Sequence, residues 1–179
     1  MPSLTRTLLA LAAFTTLTTA APSSPSPATT SPVALTKRAD YHPVTALGLA
    51  DYCNEAAPGY TYGPNAPLVT DCQAIPVANP GLGYWAVSGA EQTAQGAERW
   101  VRLAASGTCA FEVRMDPEVK GAAGDFRFGT NDLGFYIRSH AGQGDAQDGR
   151  LEVRAGVWCH TTRTAGGEMV EVNWRVVHA

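Results

Sequence analysis

The stretch Cys109-Ala110-Phe111-Glu112-Val113-Arg114-Met115 alternates side chains with period two. Cys109, Phe111, Val113 and Met115 fall on one face, and Ala110, Glu112 and Arg114 on the other. That alternation predicts a strand buried on one side. Upstream, Trp100 to Ala104 carries Trp100, Val101 and Leu103 split by Arg102, and Ser106-Gly107-Thr108 supplies turn residues. Together the two runs predict a hairpin. Leu151 to Cys159 and Met169 to Val177 alternate in the same way, and Gly166-Gly167 precedes the second. Shorter strands are expected over Trp85–Ser88 and Asp125–Gly129.

Two helices are expected beside these strands. Thr70-Asp71 reads as the N-cap of a short helix over Cys72–Ala78, weakened by Pro76 and ended by Asn79-Pro80-Gly81. Thr130 to His140 places Leu133, Tyr136, Ile137 and His140 at helical spacing. Thr130 or Asn131 would cap that helix, with Asp132 near its positive end. The class predicted is α+β: a small antiparallel sheet with two helices packed on one face, held by two disulfides.

The chain has 179 residues, 45% of them hydrophobic, enough for one domain with a core. Not all of it belongs to that domain. Residues 1–20 have the layout of a secretory signal peptide: Arg6, an apolar run from Leu8 to Thr19 too short to span a bilayer, then small residues around Ala20-Ala21. Residues 21–38 are nearly all Pro, Ser, Thr and Ala, unable to bury enough apolar surface to fold, and end in the dibasic pair Lys37-Arg38. That pair resembles a kexin-type processing site. Cleavage there removes 38 residues of 179 and three of the 13 basic residues, leaving 141 residues with ten bases against 16 acids, a charge near −6. Residues 39–70, rich in Pro, Gly, Tyr and Ala, are expected to form an irregular N-terminal arm of the mature domain, and residues 71–179 its α+β core.

All four cysteines, Cys53, Cys72, Cys109 and Cys159, lie in the mature part. An even number in a secreted chain predicts disulfides, and four allow three pairings. The pairing favoured is Cys53–Cys159 with Cys72–Cys109. None of the spacings is the short Cys-x-x-Cys of a zinc or redox site. No Asn-x-Ser/Thr sequon occurs.

His42, His140, His160 and His178, with Glu112, Glu171 and several arginines, supply the residue types of a ribonuclease without an arrangement. Asp116/Glu118, Asp145/Asp148 and Glu168/Glu171 are carboxylate pairs of the kind glycosidases use, but read as solvated loop or strand residues. Asp145 and Asp148 among Gly142, Gly144 and Gly149 lack the ligand spacing of a calcium loop. Phosphate-cradling glycine loops and a serine nucleophile elbow are absent. Catalysis, a metal and a cofactor are therefore not expected. The acidic mature charge disfavours nucleic acid. What remains is recognition: Tyr52, Tyr60, Tyr62, Tyr84 and Trp85 cluster in the first half of the mature chain, with Tyr60, Tyr62, Tyr84 and Trp85 the candidate binding surface.

The order of landmarks carries a resemblance. Asp71-Cys72-Gln73-Ala74-Ile75 is followed by Gly107-Thr108-Cys109-Ala110-Phe111-Glu112-Val113, then Phe128-Gly129-Thr130-Asn131-Asp132 and Ile137-Arg138. Arg150-Leu151, Ala155-Gly156-Val157-Trp158-Cys159 and Val172-Asn173-Trp174-Arg175-Val176 complete it. The chain from about Cys53 to Val177 resembles the necrosis-inducing factor family of fungi, the Ecp-two-type secreted effectors. The resemblance implies a small secreted virulence factor that acts on an unidentified host or microbial surface target, protein or glycan, in the host apoplast. An antimicrobial killer-toxin-like protein and a small extracellular hydrolase such as a ribonuclease are the alternatives. The family offers no catalytic residues to carry over. It implies half-cystine roles for Cys72, Cys109 and Cys159, helix-start roles for Asp71 and Asp132, and core positions for Phe111, Ile137 and Trp174. The sequence departs from the family in the glycine-rich run Gly142–Gly149 and in Arg175, where an aliphatic residue or Gly is more usual.

Overall fold

The computed structural model describes residues 39–54, 57–95, 98–116, 124–141, 147–161 and 168–179. The expected signal peptide, the pro-segment with Lys37 and Arg38, and the positions Glu118, Gly142, Gly144, Asp145, Gly166 and Gly167 lie outside them.

The described residues form eight strands and three short α-helices in the order β1 (Asp40–Pro43), β2 (Gly59–Thr61), α1 (Val69–Ala78), β3 (Gly83–Val87), α2 (Gly89–Ala94), β4 (Val101–Ser106), β5 (Cys109–Met115), β6 (Phe126–Gly129), α3 (Thr130–Tyr136), β7 (Glu152–His160) and β8 (Met169–His178). The α+β class holds, with the strands divided between two antiparallel sheets. One has the order β1-β3-β6, the other β2-β7-β8-β5-β4.

The long strands behave as their alternation predicts. Phe111, Val113 and Met115 of β5 stand opposite Val176, Trp174 and Val172 of β8, which in turn face Val153, Ala155 and Val157 of β7. These inward side chains form the core, with Trp174, Phe111 and Phe128 fully enclosed. The Phe111 ring stacks on Trp174 at 5.6 Å, Trp174 on Tyr136 at 5.0 Å, and Phe111 meets Phe128 of the smaller sheet at 5.4 Å. One aromatic column thus joins both sheets and α3. In β4 a bulge between Arg102 and Ala104 inserts Leu103, so Val101, Leu103 and Ala104 are all buried.

The arm expected to be irregular contributes an edge strand to each sheet. β1 pairs with β3, and β2 pairs with β7. Between them Cys53 bridges to Cys159, flanked by backbone bonds from Asn54 N–H to Trp158 O and from His160 N–H to Tyr52 O, both 3.0 Å. The second disulfide joins Cys72 of α1 to Cys109 of β5.

The helix ends differ from the expected ones because their polar residues find distant partners. α1 starts at Val69 and has no side-chain cap; Asp71 turns instead to Thr108. α3 is α-helical only to Tyr136 and continues as a π-helical turn, Ile137–Ala141. Thr130 does not cap it, since its hydroxyl is bonded to both backbone groups of Gly83. Gly129 holds the N-cap position, where a Cβ would lie 2.0 Å from Ala50 O, so only glycine fits. α2 was not foreseen. Its signal is the capping box Ser88-Gly89-Ala90-Glu91, in which the Ser88 hydroxyl accepts Glu91 N–H and Glu91 accepts Ser88 N–H.

Candidate binding surfaces

The four histidines do not assemble into a site. His42 stacks on Tyr84 at 5.0 Å, and His140 lies 5.9 Å from Trp174 with its ring 3.3 Å from the Tyr60 hydroxyl. His160 closes the Cys53 bridge through its backbone, and His178 is exposed beside the C-terminus. Asp116 accepts a bond from Asn173 Nδ2 at 3.1 Å, and Asp148 is exposed. Among the described residues no group of three His, Cys, Asp or Glu could hold a metal ion.

A cavity of about 500 Å³ is lined by Asp51, Asn54, Asn131, Asp132, Tyr136 and Arg138 among others. Sequence reasoning gave Asp132 only a helix-start role. In the structure it is buried and its carboxylate accepts three backbone bonds: Oδ2 accepts the N–H of Tyr52 (2.8 Å) and of Gly129 (3.0 Å), and Oδ1 that of Cys53 (3.2 Å). Burial pushes its carboxyl up to about 7, helped by the neighbouring Asp51 side chain and opposed by the three N–H donors. Asp132 therefore fastens the Cys53 arm to the start of α3. Tyr136 closes the same corner by donating to Asn54 O.

The four aromatic residues proposed as a surface part company. Trp85 is 4% exposed and belongs to the core, because β3 points it inward between β1 and β6. Trp85 therefore offers no binding surface. Tyr84, on the opposite face of β3, is half-buried between His42 and the Arg127 guanidinium, 4.7 Å from its ring. Tyr60 and Tyr62 are exposed, as are Tyr41, Phe135 and Trp158. Tyr52 is buried.

A surface that sequence reasoning passed over lies on the outer face of the five-stranded sheet. There Arg102, Glu112, Arg175 and Arg154 form one cross-strand row on β4, β5, β8 and β7. Glu112 is 7% exposed. Its Oε1 accepts Nε and Nη2 of Arg102 at 3.1 and 3.0 Å, and its Oε2 accepts Nε and Nη2 of Arg175 at 2.9 and 2.7 Å. Two forked pairs on one carboxylate explain why a charge survives there. Trp100 lies over this row, its ring 4.4 Å from the Arg114 guanidinium and 4.2 Å from that of Arg175. Arg175, the departure from the family pattern, thus holds both Glu112 and Trp100. Alternation announced a polar outer face on β5, but not that the arginines of four strands would converge on it.

No helix among the described residues is long and apolar enough to cross a membrane. The sequence model of a family described as "Hce2: pathogen effector; putative necrosis-inducing factor" matches residues 52–159, and no curated protein matches the chain.

Proposed function

The chain belongs to the Hce2 family of pathogen effectors, and from that membership we propose that the mature domain is secreted and acts by binding a host target in the apoplast rather than by turning over a substrate. The observation that carries this reading is the commitment of the two buried acids. Asp132 is held by three backbone donors and Glu112 by two guanidiniums. Both acids thus hold the fold together, whereas Tyr60, Tyr62, Phe135 and Trp158 stand exposed as recognition groups. Two disulfides suit an extracellular setting. The test is infiltration of the purified secreted protein into leaves of many host genotypes. Cell death or an immune response in some of them is expected. Silence in all of them, or turnover of RNA or glycans abolished by His140→Ala or His160→Ala, overturns the reading.

A further inference from the structure

The side chains of β7 alternate, so that Arg154, Gly156 and Trp158 share the solvent face while Val153, Val157 and Cys159 are buried. Gly156 leaves a gap in that row. A Cβ placed there would stand 3.3 Å from Asn173 Oδ1 and 3.3 Å from Glu171 Oε1, so both acceptors border the gap. The gap is part of a groove of about 240 Å³, lined by Trp100, Arg114, Arg154, Ala155, Gly156 and Asn173. Trp158 continues the same face two residues along, about 7 Å further on, and is 48% exposed.

The groove offers donors and acceptors together. Arg114 Nε is buried without a hydrogen-bond partner among the described residues, and the Arg154 side chain is largely exposed beside it. Asn173 keeps its Oδ1 toward the gap while its Nδ2 is held by Asp116. Glu171 adds a carboxylate. An anion site needs donors alone, and here Glu171, Asp116 and Glu152 offset the guanidiniums, which disfavours a polyanion. Base stacking is disfavoured at Trp100, whose ring is already occupied by two arginines. A row of groups that both donate and accept matches hydroxyls, which do the same. An exposed indole beside them matches the apolar face of a pyranose ring.

We propose that this groove binds a neutral glycan chain, with Trp158 stacking on one sugar ring and Arg114, Arg154, Asn173 and Glu171 holding the hydroxyls of its neighbour. The proposal rests on the binding-effector reading and names the ligand class of one of its surfaces. Calorimetric titration of the secreted protein with cellohexaose, laminarihexaose, xylohexaose and polygalacturonate tests it. At least one neutral hexasaccharide is expected to bind, with little change between low and high salt. Trp158→Ala should weaken that binding about tenfold, Gly156→Ser should block the gap, and Val77→Ala, at an exposed position of α1, should leave binding unchanged. Circular dichroism of each variant separates lost binding from lost folding, and Gly156→Ser serves if Trp158→Ala does not fold. The proposal is overturned if no neutral hexasaccharide binds at millimolar concentration, if polygalacturonate is preferred, or if binding survives the folded groove variants. Leaf infiltration of the same preparation keeps the two claims apart. Glycan binding without a tissue response leaves the groove and removes the effector reading, and a response without glycan binding does the reverse.

Discussion

Asp71 accepts two hydrogen bonds from Thr108, one from its backbone N–H and one from its hydroxyl, both 2.7 Å long. The hydroxyl of Thr108 also accepts the N–H of Leu68, the residue before α1. The next residues along each chain segment, Cys72 and Cys109, are joined by a disulfide. A covalent bridge and a polar clamp therefore act side by side between α1 and the β4–β5 turn.

Gly107 in that turn has φ +52°, and a Cβ there would lie 2.5 Å from the Asp71 carboxylate. Gly107→Ala combines a left-handed backbone with that collision. It should destabilise the domain by about 1–3 kcal/mol. Urea denaturation of the two proteins side by side measures this. An unchanged midpoint contradicts the clamp.

Asp71 and Asp132 make stability respond to pH in opposite directions. Hydrogen bonds from Thr108 hold the Asp71 carboxyl below its usual range, so its contribution is full above about pH 4 and is lost as the pH falls through the depressed value. Burial raises that of Asp132, so the folded state binds the proton more tightly than the unfolded one. Its contribution is full below the unfolded value and is lost as the pH rises toward about 7. Thermal melts should show stability falling from mildly acidic to neutral pH, and Asp132→Asn should flatten that slope. A melting temperature that rises over this window in the wild type sinks the assignment.

The two bridges close loops of very different length, with sequence separations of 106 for Cys53–Cys159 and 37 for Cys72–Cys109. Chain-entropy arguments give about 4 kcal/mol for the shorter loop and about 5 kcal/mol for the longer one. Replacing either pair by alanines should lower the midpoint of urea denaturation markedly. Loss of Cys53–Cys159 should also loosen the arm, raising hydrogen exchange at Tyr52 and Asn54. Protection there that survives the double replacement refutes that role.

Removing the Glu112 carboxylate leaves Arg102 of β4 and Arg175 of β8 on either side of β5 without the anion between them. Both arginines are partly exposed, which softens the effect, so Glu112→Ala should cost about 2–4 kcal/mol. Glu112→Gln keeps one acceptor oxygen and should cost less. Trp100 fluorescence should shift in both variants, since Arg175 also lies against the indole ring. A silent fluorescence signal excludes the coupling.

Some of this protein is written locally. The alternation in Cys109–Met115 and its counterparts over β7 and β8 determines strands, their buried faces and hence the larger sheet, because period two is a property of the chain itself. The capping box at Ser88 and Glu91 is equally local and could have announced α2. Landmark order along the chain was enough to place it among the pathogen effectors.

The fates of polar and aromatic residues were decided elsewhere. Asp71 and Asp132 look alike as helix-start acids, yet one clamps a turn 37 residues away and the other fastens an arm 80 residues away. Tyr60 and Trp85 look alike as exposed-surface candidates, yet β3 lies between two other strands and buries Trp85, while edge strand β2 leaves Tyr60 exposed. The sequence by itself determined the strands and the cysteine count. Tertiary structure alone decided which half-cystines meet, how the arm becomes two edge strands and where the outer arginines converge. Period and propensity act over neighbouring residues, whereas a carboxylate, a ring or a thiol is satisfied by whatever the sheet register brings to it across the fold.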